Sequence, residues 1–90
     1  MSEVLRLAGA LTMSTVGARV AAGHAKAAAG ELTVDLSAVS EADSAALALL
    51  FDWMRAAREG GHTLSVTGVS AELRTLAALY GVDELLPAKN

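Results

Sequence analysis

The sequence predicts a small α/β sandwich, in which a mixed sheet of about four strands carries three helices mainly on one face. Ninety residues hold one hydrophobic core, so we expect a single domain over residues 1–90. Short stretches of alternating apolar and polar residues are separated by longer stretches with a helical period. The chain is 53% hydrophobic and has one proline, which favours a compact fold over disorder.

The first predicted elements are two short strands and a helix. Residues 4–8 alternate around Arg6, and residues 9–12 are expected to form a second short strand. Thr12 or Ser14 is the candidate N-cap of a helix that ends at Gly30.

The central strand is predicted over residues 32–37, with a loop over residues 38–43. Leu32, Val34 and Leu36 share one face of this strand, the pattern of a sheet covered mainly on one side. From Ser44 the period becomes helical. The apolar stripe of this second helix is Leu47, Leu50, Met54 and Ala57, and Gly60-Gly61 ends it.

Leu64 and Val66 mark the next strand, which we expect to lie parallel to the central one because a helix connects them. Ser70 is the predicted N-cap of the last helix, which Gly81 stops. The residues expected to face inward from this helix and the segment after it are Leu73, Leu76, Ala77, Tyr80, Val82, Leu85 and Leu86.

Charge and residue content exclude several classes of function. The net charge is −3, and no stretch clusters Lys or Arg, so nucleic-acid binding is not expected. The chain has no cysteine, which excludes disulfides and thiolate chemistry. His24 and His62 lack a carboxylate at ligand spacing, so we expect ordinary surface histidines and no metal. No glycine-rich phosphate loop is present, so no cofactor is expected.

Membrane insertion is likewise not expected. The longest apolar run, residues 45–51, is far shorter than the roughly 18 to 20 residues that span a bilayer. Glu3 and Arg6 stand where a secretion signal would carry basic and apolar residues, respectively. We therefore expect a cytoplasmic domain.

Ser44 is the candidate functional hydroxyl. Capping of the helix alone accounts for Asp43 and Ser44, but Ala45 and Ala46 leave the backbone beside the hydroxyl open to a partner or a kinase. A phosphate there would add about −1.5 to −2 charge, which a helix N-terminus tolerates. No general base is placed beside Ser44, so we expect no catalytic residue and no enzyme.

Residue positions suggest two further interpretations. Asp35 resembles the strand-end phosphoacceptor of response-regulator receivers, but the acidic pair that would hold magnesium is missing. Leu49 and Trp53 lie four residues apart, outside the main stripe of their helix. They are either covered by the neighbouring helix or form an exposed apolar strip for a partner.

The stretch "LTVDLS", "AVSEAD", "SAALALL" resembles the central segment of STAS domains, which include anti-sigma factor antagonists. The later "HTLSVTGVSAELRTLAALYGVDELLP" is most similar to the MlaB type, the small STAS subunit of the bacterial Mla phospholipid-transport ABC complex. The resemblance implies that Ser44 occupies the Ser/Thr site that is phosphorylated in many antagonists, with Asp43 as the preceding acidic residue. Ala46 stands where the family usually has glycine.

The resemblance implies a non-enzymatic cytoplasmic accessory subunit that binds the ATPase of an Mla-type ABC transporter and supports its assembly or activity. Such a subunit would reach the inner membrane only through the transporter. The partner-binding residues would be Asp43, Ser44, Ala45, Leu49 and Trp53. The alternative is an anti-sigma factor antagonist that binds an anti-sigma factor kinase and is regulated by phosphorylation of Ser44.

Overall fold

The computed structural model describes residues 3–81 and 88–89, in which strands and helices alternate. The elements are β1 (Glu3–Leu11), α1 (Gly17–Ala29), β2 (Leu32–Ala42), α2 (Ser44–Glu59), β3 (Leu64–Thr67), α3 (Ala71–Leu79) and β4 (Ala88–Lys89). The α/β class and the three helices are confirmed.

All strand pairs are parallel, so the predicted mixed sheet is wrong. Strands β1, β2 and β3 form the body of the sheet, and the two-residue β4 lies beside β3. The strand order follows the chain order. A helix lies between each pair of consecutive strands, and such long crossover connections are what parallel pairing requires.

The separate second strand predicted over residues 9–12 is also wrong. Strand β1 continues to Leu11 because it stays paired with β2 throughout, from Glu3 beside Leu32 to Leu11 beside Ala42. Helix α1 begins at Gly17, and neither Thr12 nor Ser14 caps it. Residues 12–16 instead form a turn, in which the N–H groups of residues 15 and 16 donate to the Thr12 carbonyl at 2.9 Å.

Strand β2 includes most of the stretch predicted as a loop. Its pairing with β1 shifts by one residue twice, so that β2 has one extra residue at each shift. Leu36 is the last buried residue in the every-second pattern, and Val39 and Ala42 then pack against the core at every third position. Because of the two bulges, the second half of the strand lacks the apolar–polar alternation from which strands are predicted.

The core lies between one face of the sheet and the helices. Leu49 and Trp53 belong to it, with side chains 3% and 0% exposed. Of the two interpretations left open for this pair, the exposed apolar strip for a partner is wrong, and burial is what the structure shows. The Trp53 indole N–H donates to the Val20 carbonyl of α1 at 3.0 Å. A Cβ at Gly23 would overlap the indole ring, so the glycine allows α1 to approach Trp53.

The predicted helix ends are mostly confirmed. Helix α2 begins at Ser44 and is followed by Gly60, and the Ser70 side chain caps α3 by accepting the Leu73 N–H at 3.1 Å. Tyr80, expected to face inward, is 59% exposed because it follows the last turn of α3. The inward positions predicted at Val82, Leu85 and Leu86 lie outside the described residues. Every helix in the described ranges is too short or too polar to cross a membrane.

Candidate functional site

Two turns meet where β1 and β2 end. The strands of a parallel sheet end at one edge, and the following helices begin there. Strand β3 stops beside Asp35, whereas β2 continues to Ala42 beside Leu11, so the β1–β2 pair extends past β3. The surface at this end, residues 12–16 together with residues 43–45, is called the tip below.

The Asp43 carboxylate joins the two turns of the tip. One oxygen, Oδ1, accepts the backbone N–H of Ala45 at 2.8 Å and so caps α2. The other, Oδ2, accepts the backbone N–H of Met13 at 3.2 Å. Each carboxylate oxygen thus holds a different segment of backbone, and the first turn of α2 is fixed against the turn that precedes α1.

Hydroxyl groups stiffen the turn before α1. The Thr15 hydroxyl accepts the Thr12 N–H at 2.8 Å and donates to the Ala10 carbonyl at 2.9 Å. The hydroxyls of Thr12 and Ser14 lie 3.1 Å apart. These bonds satisfy the backbone of the turn locally, and the Met13 side chain is left 77% exposed.

Ser44 is the first residue of α2 and is exposed. Asp43 and Ala45 beside it are half-buried, so the tip brings together three of the five residues expected to bind a partner. Leu49 and Trp53 lie in the core instead. Ala46, which was expected to leave the backbone open beside the hydroxyl, is also fully buried.

The tip, as defined by residues 12–16 and 43–45, contains one carboxylate, that of Asp43, and no histidine. The Asp43 carboxylate is engaged by two backbone N–H groups. His24 bonds through Nδ1 to Asp52 at 3.0 Å, and His62 follows the opposite end of α2. Neither the histidines nor Asp43 is hydrogen-bonded to the Ser44 hydroxyl in the described residues, and an exposed hydroxyl in this position suits a contact surface or a site of modification.

A charged cluster links the outer sides of α1 and α2. Asp52 accepts from Arg55 at 2.9 Å in addition to its bond with His24, whose side chain is 47% exposed. The pairing of His24 with Asp52 has no signal in the sequence, because the two residues lie on different helices. In the described ranges no group of three His, Asp or Glu side chains could hold a metal ion.

Asp35 lies in the middle of β2, not at its end, so the likeness to a receiver phosphoacceptor fails. The Ser37 N–H donates to its carboxylate at 2.9 Å, and Arg6 donates to it at 3.1 Å. The hydrogen bonds from Ser37, together with the nearby Arg6 guanidinium, hold the pKa of Asp35 below its usual value. Asp35 therefore lies on the face of the sheet opposite the core and away from the tip.

Met13 is the residue of the tip that sequence reasoning missed. The signal was available, because residues 7–18 contain no charged side chain and the stretch "TMST" places one large apolar residue among hydroxyls. The hydroxyls were interpreted as helix caps only. Capping by Thr12 or Ser14 accounts for the hydroxyls of this stretch but not for the methionine between them.

Comparison with protein families gives one match that spans almost the whole chain. The family model, described as "Mlab, STAS domain", matches residues 1–87. Among curated proteins, none shows significant sequence similarity to the chain.

Two solved structures have the same fold. The first is a candidate anti-sigma factor antagonist from Thermotoga maritima, with a TM-score of 0.85 and 13% identity. The second is the anti-sigma factor antagonist SpoIIAA in its unphosphorylated form, with a TM-score of 0.74 and 17% identity. Each alignment covers 99% of this chain and 79% of the other. At such low identity the likeness establishes the fold alone.

Proposed function

The chain belongs to the MlaB-type STAS domain family, and on that basis we propose that it is a non-enzymatic accessory subunit of an Mla-type phospholipid-transport ABC transporter. It binds the cytoplasmic ATPase subunit through the tip and supports assembly or activity of the complex. Its contact with the membrane is indirect, through the transporter. The observation that carries the proposal is the exposed Ser44 at the start of α2, where the Asp43 carboxylate joins the first turn of the helix to the turn that contains Met13.

The geometry of the tip supports binding to another polypeptide. Both turns are held by short-range hydrogen bonds before any partner arrives, so little conformational entropy is lost on docking. The exposed residues of the tip are Met13, Ser14 and Ser44, and a methionine side chain with two hydroxyls suits a protein surface. The acid beside them is satisfied by backbone N–H groups, so burying it leaves no carboxylate oxygen without a donor.

A binding assay with the purified ATPase subunit from the same cell tests this function. Ser44→Glu places a charge in the proposed interface and should weaken the affinity at least about tenfold, since an unpaired buried charge is costly. Ala71→Glu is the matched control, because Ala71 is also the exposed first residue of a helix, α3. The control should bind like the wild type. Wild-type protein that fails to bind the ATPase would refute the proposed function.

A second candidate function is an anti-sigma factor antagonist that phosphorylation of Ser44 controls. It is favoured by the exposed hydroxyl at a helix N-terminus, where the backbone dipole stabilises an added phosphate. The two antagonist structures with the same fold agree with it. Here the partner is an anti-sigma factor that is also a serine kinase.

Kinase treatment separates the two functions. The chain is incubated with the serine-kinase anti-sigma factor of the same cell and ATP, and phosphate is located by mass spectrometry. The antagonist function predicts one phosphoryl group, lost in Ser44→Ala and kept in Ser14→Ala, which removes the neighbouring exposed hydroxyl of the tip. An unmodified chain would eliminate this second function and leave the first.

A further inference from the structure

The proposed interface needs an apolar contact other than Leu49 and Trp53, because both are buried. Protein interfaces draw most of their binding free energy from a few large side chains that become fully desolvated. The large hydrophobic side chains that are most exposed in the described residues are Val4, Met13, Leu79 and Tyr80. Of these, only Met13 lies at the tip.

The backbone of Met13 is fixed beside Ser44. Its N–H donates to Asp43, which also caps α2 through Ala45, so one carboxylate sets the position of both segments. The Thr15 hydroxyl holds the turn on its other side. A methionine presented in this way has an ordered backbone and a flexible thioether side chain, which can adapt to the shape of an apolar pocket.

The charge around Met13 indicates the kind of partner. Residues 7–18 contain no charged side chain, and the charged residues at the end of β2 and the start of α2, Glu41 and Asp43, are both acids. Arg19, the next cation along the chain, donates to the Ala8 carbonyl. Nucleic acids and anionic lipid surfaces are bound through clustered Lys and Arg, so neither fits this surface. A polypeptide with an uncharged apolar pocket does.

One concavity of the described residues is a poor pocket for the Met13 of a second copy. The described residues form a concavity of about 360 Å³ at the opposite end of the sheet, between β1, α1 and the start of β2. Its lining includes the charged residues Glu3, Lys26 and Glu31, and the first two form an ion pair. Inserting a thioether there would desolvate charges without compensation.

We propose that Met13 is the apolar anchor of the tip and that it inserts into an uncharged pocket on the transporter ATPase. The inference rests on the proposed function and adds the residue that supplies the binding free energy. Asp43 is its positioning residue, since it holds the Met13 backbone without itself offering an apolar contact.

The test compares the affinities of three variants for the purified ATPase subunit by calorimetry. Met13→Ser should weaken binding at least about tenfold, the size expected for an anchor residue. Met13→Leu, which keeps an apolar side chain of similar volume, should stay within about threefold of the wild type. Val4→Thr is the matched control, because Val4 is also exposed but lies near the start of β1, at the opposite end of the strand from the tip. This variant should bind like the wild type.

Each outcome has one meaning. Wild-type affinity in Met13→Ser, together with weak binding in Ser44→Glu, would overturn Met13 as the anchor while leaving the proposed function intact. Absence of binding by the wild type would remove the function and the anchor together. A wild-type dimer that Met13→Ser converts to a monomer, measured by light scattering, would make the occupant a second copy and overturn the proposal. Circular dichroism of each variant confirms that it is folded.

Discussion

Asp43 accepts the backbone N–H of Met13 at 3.2 Å, a bond that crosses 30 residues of sequence. The same carboxylate caps α2 through Ala45, so a side chain that a local reading assigns to one helix also sets the turn before another. The position of the Met13 turn relative to Ser44 therefore depends on one acidic residue. Removing the Asp43 carboxylate should therefore lower both the stability of the fold and the affinity for a partner.

Replacing Asp43 with alanine should lower the free energy of unfolding by about 1–2 kcal/mol, the usual cost of losing an N-cap together with a second backbone hydrogen bond. Urea denaturation measures the difference. Asp43→Asn should recover only the part of this loss that belongs to the cap, because asparagine is an equally good N-cap but its amide has one acceptor oxygen and cannot also accept the Met13 N–H. Glu41→Ala is the control, since Glu41 is an exposed acid two residues away; it should change stability by less than about 0.5 kcal/mol. Equal stability of the two alanine variants would contradict the role given to Asp43.

Gly23→Ala should destabilise the protein, although alanine is the better helix former by about 1 kcal/mol. The added Cβ would overlap the Trp53 ring, and overpacking of a core costs about 1–3 kcal/mol or more. Gly17→Ala is the matched control in the same helix, because a Cβ there meets nothing within 4 Å. Thermal unfolding should show a lower Tm for Gly23→Ala and an unchanged or higher Tm for Gly17→Ala. The same Tm in both variants would mean that α1 is not in close contact with Trp53.

The contact between Gly23 and Trp53 also shows why the sequence left the burial of Leu49 and Trp53 undecided. Helical period placed Leu49 and Trp53 outside the main stripe of α2, but period alone does not say whether a second helix covers that side. A glycine inside an alanine-rich helix is costly and commonly marks a close approach. Reading Gly23 in that way would have favoured the buried alternative for Trp53.

The second half of β2 could not be predicted from the sequence for a different reason. The alternation of Leu32, Val34 and Leu36 predicted the first half of the strand correctly. Beyond Leu36 the two bulges change the inward spacing to three, so the second half carries no alternating pattern to detect. The start of α2 at Ser44 was predicted because an N-cap acts locally, whereas the bond from Asp43 to Met13 depends on the pairing of β1 with β2.

Ser44→Glu should fold as well as the wild type, which separates its effect on binding from an effect on stability. Ser44 is exposed at the first position of α2, where an acidic side chain interacts favourably with the helix dipole. The free energy of unfolding from urea titration should remain within about 0.5 kcal/mol of the wild-type value. Ala71→Glu, at the same position of α3, should behave alike. A large loss of stability in Ser44→Glu alone would mean that the adjacent Asp43 carboxylate repels the added charge.

The acid sensitivity of the fold should depend on Asp35. Its pKa is lowered in the folded protein, so the unfolded chain binds the proton more readily and folding is favoured when Asp35 is ionised. That stabilisation is complete above the ordinary carboxyl value of about 3.9 and is lost as the pH falls through the lower folded value. Urea midpoints measured between about pH 2 and pH 6 should therefore fall less steeply at the acid end in Asp35→Asn than in the wild type.

Variants of the two partners of Asp35 test which contact lowers its pKa. The hydrogen bonds from the Ser37 backbone and side chain are the main cause, and the Arg6 guanidinium, whose side chain is 69% exposed, contributes less. Ser37→Ala keeps the backbone N–H donor, the largest cause, and removes only the contribution of the side chain, so it should reduce the acid dependence in part, while Arg6→Gln should retain most of it. Because hydrogen bonds dominate, added salt should change the profile little. A profile that Arg6→Gln or high salt abolishes would assign the effect to the ion pair instead.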